Sequence, residues 1–150
     1  MNSHEITELG RRLIRGELTF IGVFASDTLI ESLDFTHQST AAYIVNTEQS
    51  CTRGRHWVSI IQEPGGRFEF FDPLGHGPWD YANLNMFGSV AFNTHAIQNP
   101  LTNTSAHICL LYLYFCSHGY SFQFHFGVVQ NPVHRFRIAY QWRACNHNRT

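Results

Sequence analysis

HWVSIIQEPGGRFEFFD, residues 56–72, decides the fold. His56–Gln62 and Arg67–Phe71 are rich in β-branched and aromatic residues. Between them stands Glu63-Pro64-Gly65-Gly66, a turn signal. The arrangement predicts a β-hairpin with His56 opening its first strand and Asp72 closing its second. The second decisive stretch is SAHICLLYLYF, residues 105–115. It is too long for a typical strand and reads as a buried helix, capped at Thr104 or Ser105 and ended at Gly119.

Upstream of the hairpin, Ala41–Val45 is an apolar run ended by Asn46 and Thr47, and Glu48–Gly54 is a polar loop. Thr19–Phe24 is a short β-like run carrying Gly22. Before it, Ile6, Leu9, Leu13 and Ile14 recur at helical spacing. Ser3 is expected as the cap of that helix, Arg11, Arg12 and Arg15 suit its C-terminal dipole, and Gly16 is its expected terminator.

Downstream, Pro73–Asp80 reads as loop, Asn83–Ala96 fits neither period clearly, and Gln98–Thr104 is a polar loop containing Pro100. Tyr120, Phe122, Phe124, Phe126 and Val128 alternate as in a half-buried strand, and Phe136, Ile138 and Tyr140 repeat the pattern. Ala144–Thr150 reads as a frayed tail. The fold class is α+β: a small mixed β-sheet packed on a central helix that carries Cys109. Residues 1–150 form one expected domain, because neither a linker nor a repeat divides them.

Composition narrows the function classes. The chain of 150 residues is 43% hydrophobic, enough for a core without staples, and its formal net charge of -1 gives no global attraction to nucleic acid or anionic lipid. Local basic clusters remain, at Arg11, Arg12 and Arg15 and at Arg135, Arg137 and Arg143. The longest apolar run, near Ile108–Phe115, is far short of the ~20 residues of a membrane span. The N-terminal stretch has no signal-peptide core, so a soluble, intracellular protein without a membrane partner is expected. The four cysteines, at 51, 109, 116 and 145, have no CxxC spacing, which disfavours a zinc ribbon or dithiol motif.

His56, Asp72 and Cys109 are the parts of a thiol nucleophile, a base and an orienting carboxylate. A cysteine about one turn after a helix cap has its thiolate favoured by the helix N-terminus. A histidine at the start of a strand can hold its imidazole against that thiol, and Asp72 can fix the other ring nitrogen. Taken singly, each has a plainer reading. Cys109 in an apolar run is more often a core thiol, a lone His is more often structural, and an Asp before Pro is often only a turn former. Trp57 is read as a core or lid residue, or as a ring stacked beside His56. Cys116 is read as core and Cys51 as an exposed loop thiol. His76, between Gly75 and Gly77, has no second ligand spaced to join it in a metal site.

The segments YIVNTEQSCTRGRHWVSI (Tyr43–Ile60), FEFFDPLG (Phe68–Gly75), TFIGVFASDTL (Thr19–Leu29) and SAHICLLYLYFCSHG (Ser105–Gly119) together resemble the adenovirus-type cysteine endopeptidases, the adenain-like proteases related to those that act on ubiquitin-like proteins. The resemblance covers roughly Thr19 to Gly119. It implies that His56, Asp72 and Cys109 form the triad of a thiol endopeptidase that acts on a polypeptide substrate. It also implies cleavage after small residues, especially Gly, in viral structural precursors or ubiquitin-like tails, and a viral origin with the host nucleus or virion as location.

The chain departs from the family in two places. Leu110 follows Cys109 where the family has Gly, and Thr102 stands where the family has the Gln that donates to the oxyanion. Gln98 is the preferred replacement, through an insertion of about four residues; Asn103 is the other candidate. The cysteine to which adenovirus enzymes attach a peptide cofactor has no counterpart. No cofactor or metal is therefore expected, and an activating peptide or nucleic acid has no support in the sequence. Two rivals stand beside this reading: an inactive relative that binds polypeptide, and a metal-binding protein suggested by ten His and four Cys.

Overall fold

The structure is a computed structural model, and it describes residues 1–36, 38–52, 56–87, 90–122 and 142–144. The helices are α1 (Ser3–Leu13) and α2 (Ser105–Ser117). The strands are β1 (Thr19–Ala25), β2 (Ala41–Asn46), β3 (Trp57–Gln62), β4 (Phe68–Phe71), β5 (Val90–Phe92), β6 (Tyr120–Phe122) and β7 (Trp142–Ala144). The first five form one sheet in the order β1-β2-β3-β4-β5. β1 and β2 are parallel, β2, β3 and β4 follow antiparallel, and β4 and β5 are parallel. The architecture is thus a small α+β fold built on a mixed sheet.

Strand periodicity sorts side chains onto two faces. Ala42 and Ile44 of β2, Ile61 of β3 and Phe71 of β4 point to the face covered by α1 and α2. There they pack with Ile6, Ala106, Cys109, Leu110, Tyr112 and Leu113. Tyr43, Val45, Val58, Ile60 and Phe70 point the other way, onto Leu29, Leu84 and Phe87 from the connecting segments. β2 is buried along its whole length, hence its unbroken apolar run. Each fully buried Leu or Phe contributes roughly 1.5–3 kcal/mol, so this two-faced core fixes the sheet on which the site is built.

The hairpin forms as its sequence dictates. β3 and β4 pair from Gln62↔Phe68 to Ser59↔Phe71. Gly65 and Gly66 turn at φ +88° and +82°, a conformation that side chains resist. The unassigned stretch 83–96 supplies β5 at the far edge of the sheet.

Several boundaries differ from expectation. α1 is capped by Asn2, whose side chain accepts from the Glu5 N–H while the Glu5 carboxylate accepts from the Asn2 N–H; Ser3 is already helical. α1 stops at Leu13, with Ile14 extended at its C-cap, before Gly16 is reached. The segment Pro78–Asp80, read as loop, contains a single 3-10 turn. Of the alternating run Tyr120–Val128, the first three residues form β6, paired antiparallel with β7. The rest of that run, the expected strand at 136–140 and the cluster members Arg135 and Arg137 lie outside the described residues. Ala144, expected in a frayed tail, is the last residue of β7; residues 145–150 lie outside the described set.

Candidate active site

Asp72 leaves β4 into the turn Asp72-Pro73-Leu74-Gly75 and is fully buried. A buried carboxylate is costly unless donors surround it. Here Oδ1 takes the Leu74 N–H at 2.8 Å and lies 2.6 Å from His56 Nε2, while Oδ2 takes the Tyr81 hydroxyl at 2.6 Å. His76 Nδ1 lies 3.7 Å from Oδ2. Asp72 is therefore both a turn former, through Leu74, and the partner of a histidine. Gly75 allows the turn to sit down on the segment after β5. A Cβ there would come within 2.6 Å of the His95 carbonyl carbon, at a φ of +75°.

His56 lies just ahead of β3, its side chain 13% exposed. With Nε2 directed at Asp72, the ring works on other groups through Nδ1. Among the described residues the ring stacked beside His56 is Tyr81, with centroids 6.2 Å apart, rather than Trp57. Trp57 is half-buried and packs against the α-helical side of the core. Burial, and then the charge of Asp72, push the Tyr81 phenol up, which keeps it a protonated donor to that carboxylate.

Cys109 lies about one turn past the helix cap, as its spacing from Thr104 and Ser105 predicts, but its thiol faces the sheet rather than His56. α2 begins at Ser105, so Cys109 falls in its second turn. The residue of α2 that reaches the His56–Trp57 step is Ser105, whose hydroxyl accepts the Trp57 N–H at 3.2 Å. Neither Thr104 nor Ser105 caps the helix with its side chain: Thr104 holds the cap position without such a bond, and the Ser105 hydroxyl is turned to the sheet. The Cys109 thiol is fully buried and donates to the Trp57 carbonyl at 3.3 Å. Among the described residues no hydrogen bond joins it to His56. Burial pushes this thiol well above the ordinary range, the Ser59 hydroxyl opposes that, and the Asp72 charge adds to it. Cys116 is half-buried and Cys51 exposed.

Gln98 is buried in the loop ahead of α2. Its backbone N–H donates to Pro73 O at 2.9 Å, which ties the loop to the Asp72 turn. Its side-chain Nε2 donates to Thr102 O at 2.7 Å, and among the described residues Oε1 has no partner. Asn103 is exposed on the same loop. The structure thus joins His56 to Asp72 directly, sets Gln98 against the same turn, and holds the Cys109 thiol one residue along β3 from His56.

A groove of about 540 Å³ on the β1 side of the sheet reaches this constellation only at Trp57, the neighbour of His56. Its walls include Asn2 at the start of α1, Val23 and Phe24 of β1, Asn46 at the end of β2, and Trp57. Among the described residues no group of three or more His, Cys, Asp or Glu is arranged to hold a metal ion. No helix among them is long and apolar enough to cross a membrane.

Sequence reading missed Tyr81, Ser105 and Asn93, whose side chain bonds to the backbone of Asp72. Tyr81 follows a stretch with no periodicity, and Asn93 falls in the one segment that fits neither period. Ser105 carried a signal, as a hydroxyl at a helix start, but that signal points to capping.

No family model matches the chain. The chain is similar to a protease of Porcine adenovirus A serotype 3, 30% identical over 89 residues, 47% of this chain and 44% of the relative. The match therefore spans less than half of the relative's length and supports a distant adenain-like relationship. Among solved structures, the chain is similar to the central domain of the uncharacterized Lpg1148 protein from Legionella pneumophila. The TM-score is 0.50 at 18% identity, covering 79% of this chain and 77% of that one. That likeness concerns the fold.

Proposed function

We propose that the chain is a thiol endopeptidase in which His56 is the general base and acid, Asp72 orients it, and Cys109 is the nucleophile. The observation that carries this reading is the 2.6 Å contact between His56 Nε2 and a fully buried Asp72 carboxylate. The polypeptide lies past Trp57 with its scissile carbonyl at the N-terminal end of α2. The thiolate attacks that carbonyl, the oxyanion takes the Gln98 amide, and His56 protonates the leaving amine and then activates water. Similarity to the adenovirus protease supports peptide hydrolysis, and cleavage after Gly or another small residue extends that similarity to substrate choice.

The reading requires a rearrangement. The thiol must leave the Trp57 carbonyl for His56, and the Gln98 amide must exchange Thr102 O for the oxyanion, so the resting site is assembled on engagement of substrate. A second reading, an inactive relative that binds polypeptide, is favoured by the burial and raised pKa of the Cys109 thiol. The test is incubation of the intact protein with a peptide ending in Gly-Gly and a thiol-reactive electrophile, followed by mass mapping. A single adduct on Cys109, lost in His56→Ala, supports the peptidase. Saturable binding of the peptide without an adduct supports the binder.

A further inference from the structure

β4 and β5 run parallel, with Phe70 beside Phe92, and their backbone ladder ends there. One residue further on, a side chain takes over. Asn93 Oδ1 accepts the Asp72 N–H at 2.7 Å, and Asn93 Nδ2 donates to the Asp72 carbonyl and, at 3.3 Å, to the His95 carbonyl. The amide is 1% exposed. Both backbone polar groups of Asp72 are thus paired by one planar group, which stands in for the next rung of the sheet.

We infer that Asn93 is a positioning residue for the His56–Asp72 pair: its side-chain amide fixes the backbone of Asp72, and through it the carboxylate that orients His56. This rests on the proposed roles of His56 and Asp72. The chemistry admits few substitutes. The site needs an acceptor for an N–H and a donor for a C=O on one short, flat group, which Asn supplies. Aspartate has the shape but turns an anionic oxygen on the Asp72 carbonyl and adds a second negative charge beside a buried carboxylate. Alanine leaves the Asp72 N–H to find a new partner in a dry site and its carbonyl with the Gly75 N–H alone.

The position of the Asp72 carboxylate is otherwise set by a turn that has left the sheet, containing Gly75. A shift of about 0.5 Å in such a supporting group is enough to loosen a working geometry. Asn93 removes that freedom by extending the order of the sheet to residue 72. The carboxylate can then spend its own lone pairs on Leu74 N–H, Tyr81 and His56.

The experiment reads the imidazole of His56 by nitrogen-15 NMR in the full chain. In the wild type the contact to Asp72 selects the tautomer protonated at Nε2. Asn93→Ala and Asn93→Asp are expected to lose that selection while keeping the wild-type fold by circular dichroism. If the protein turns over a peptide, the turnover number should fall about 10- to 100-fold with KM unchanged. A folded variant whose His56 keeps the wild-type tautomer overturns the inference. Should both variants unfold, hydrogen exchange in the wild type decides: slow exchange of the Asp72 amide and the Asn93 side-chain amide supports the clamp, and fast exchange of either overturns it. The tautomer is read without turnover. Loss of selection in variants of a protein that cleaves nothing keeps the clamp and removes the peptidase; unchanged selection in an active enzyme does the reverse.

Discussion

The thiol of Cys109 donates to the carbonyl oxygen of Trp57 at 3.3 Å, on the face of β3 that the helices cover. A thiol in that position is shielded from reagents and disfavoured as an anion. Iodoacetamide at neutral pH is therefore expected to modify the exposed Cys51 well before Cys109. A saturating peptide bearing no electrophile should accelerate alkylation of Cys109 if substrate draws the thiol toward His56. Rapid modification of Cys109 in the free protein, seen by mass mapping, would show that the buried position is not the resting state.

Asp72→Asn removes the charge but keeps the shape. Asn presents either its oxygen or its NH2 to His56 Nε2, and the second choice selects the wrong tautomer. Turnover is expected to fall on the order of 10- to 10⁴-fold, with peptide affinity little changed. Full activity in the variant would leave Asp72 as a turn former only, through its bond to Leu74.

Tyr81→Phe deletes one donor from a buried carboxylate and leaves the ring in place. The loss of such a partner costs about 1–3 kcal/mol. The expected result is a lower urea midpoint with an unchanged m-value. An unaltered midpoint would mean that another donor, such as His76 at 3.7 Å, has moved in.

Gln98→Ala and Asn103→Ala separate the two oxyanion candidates. Loss of one amide donor costs ~10²–10³ in turnover, and Gln98, buried against the Asp72 turn, is expected to show it. Asn103 is exposed and its substitution should cost less. The reverse result in turnover of one peptide by both variants would move the role to Asn103.

Glu69 gives the protein a stability profile across mild acid. Its carboxyl is withdrawn from water on the helix-covered side of β4 and accepts from the Tyr112 hydroxyl. Burial pushes it up from 4.5 to about 7, and the Tyr112 bond opposes that shift. Between these two values the unfolded chain releases a proton that the folded chain keeps, so stability falls as pH rises from about 4.5 to about 7 and is level above. Urea unfolding at pH 5 and pH 7.5 measures the slope, an upper bound of roughly 3 kcal/mol. Glu69→Gln should flatten it, and a slope that survives in that variant belongs to another group.

The fold was legible where local signals and burial agree. The glycine pair at 65–66 marks the hairpin, the unbroken run at 41–45 marks a strand buried on both faces, and the apolar length of 105–115 excludes a strand. The candidate site was legible at His56 and Asp72 because they punctuate the two ends of one hairpin. It was not legible at Asn93 or Tyr81, which act only through contacts that the folded chain creates. The burial of the Cys109 thiol was not legible because an apolar helix carries no periodicity to say which of its residues meets the sheet. That choice falls to Ser105 and the Trp57 N–H.

His56 stands just before the first strand of the hairpin and Asp72 just after the second, with the Gly65–Gly66 turn at the opposite end. The alignment of these two side chains is therefore a matter of counting. Adding a residue within either strand would displace one partner by about 3.4 Å and reverse which face it points to. Adding one at the turn would leave both ends in place. Length variation at residues 63–66 should be tolerated, whereas a single insertion in 57–62 or 68–71 would separate the pair while the strands still hydrogen-bond, and the contact between His56 and Asp72 thereby reports that the hairpin has closed in the correct frame.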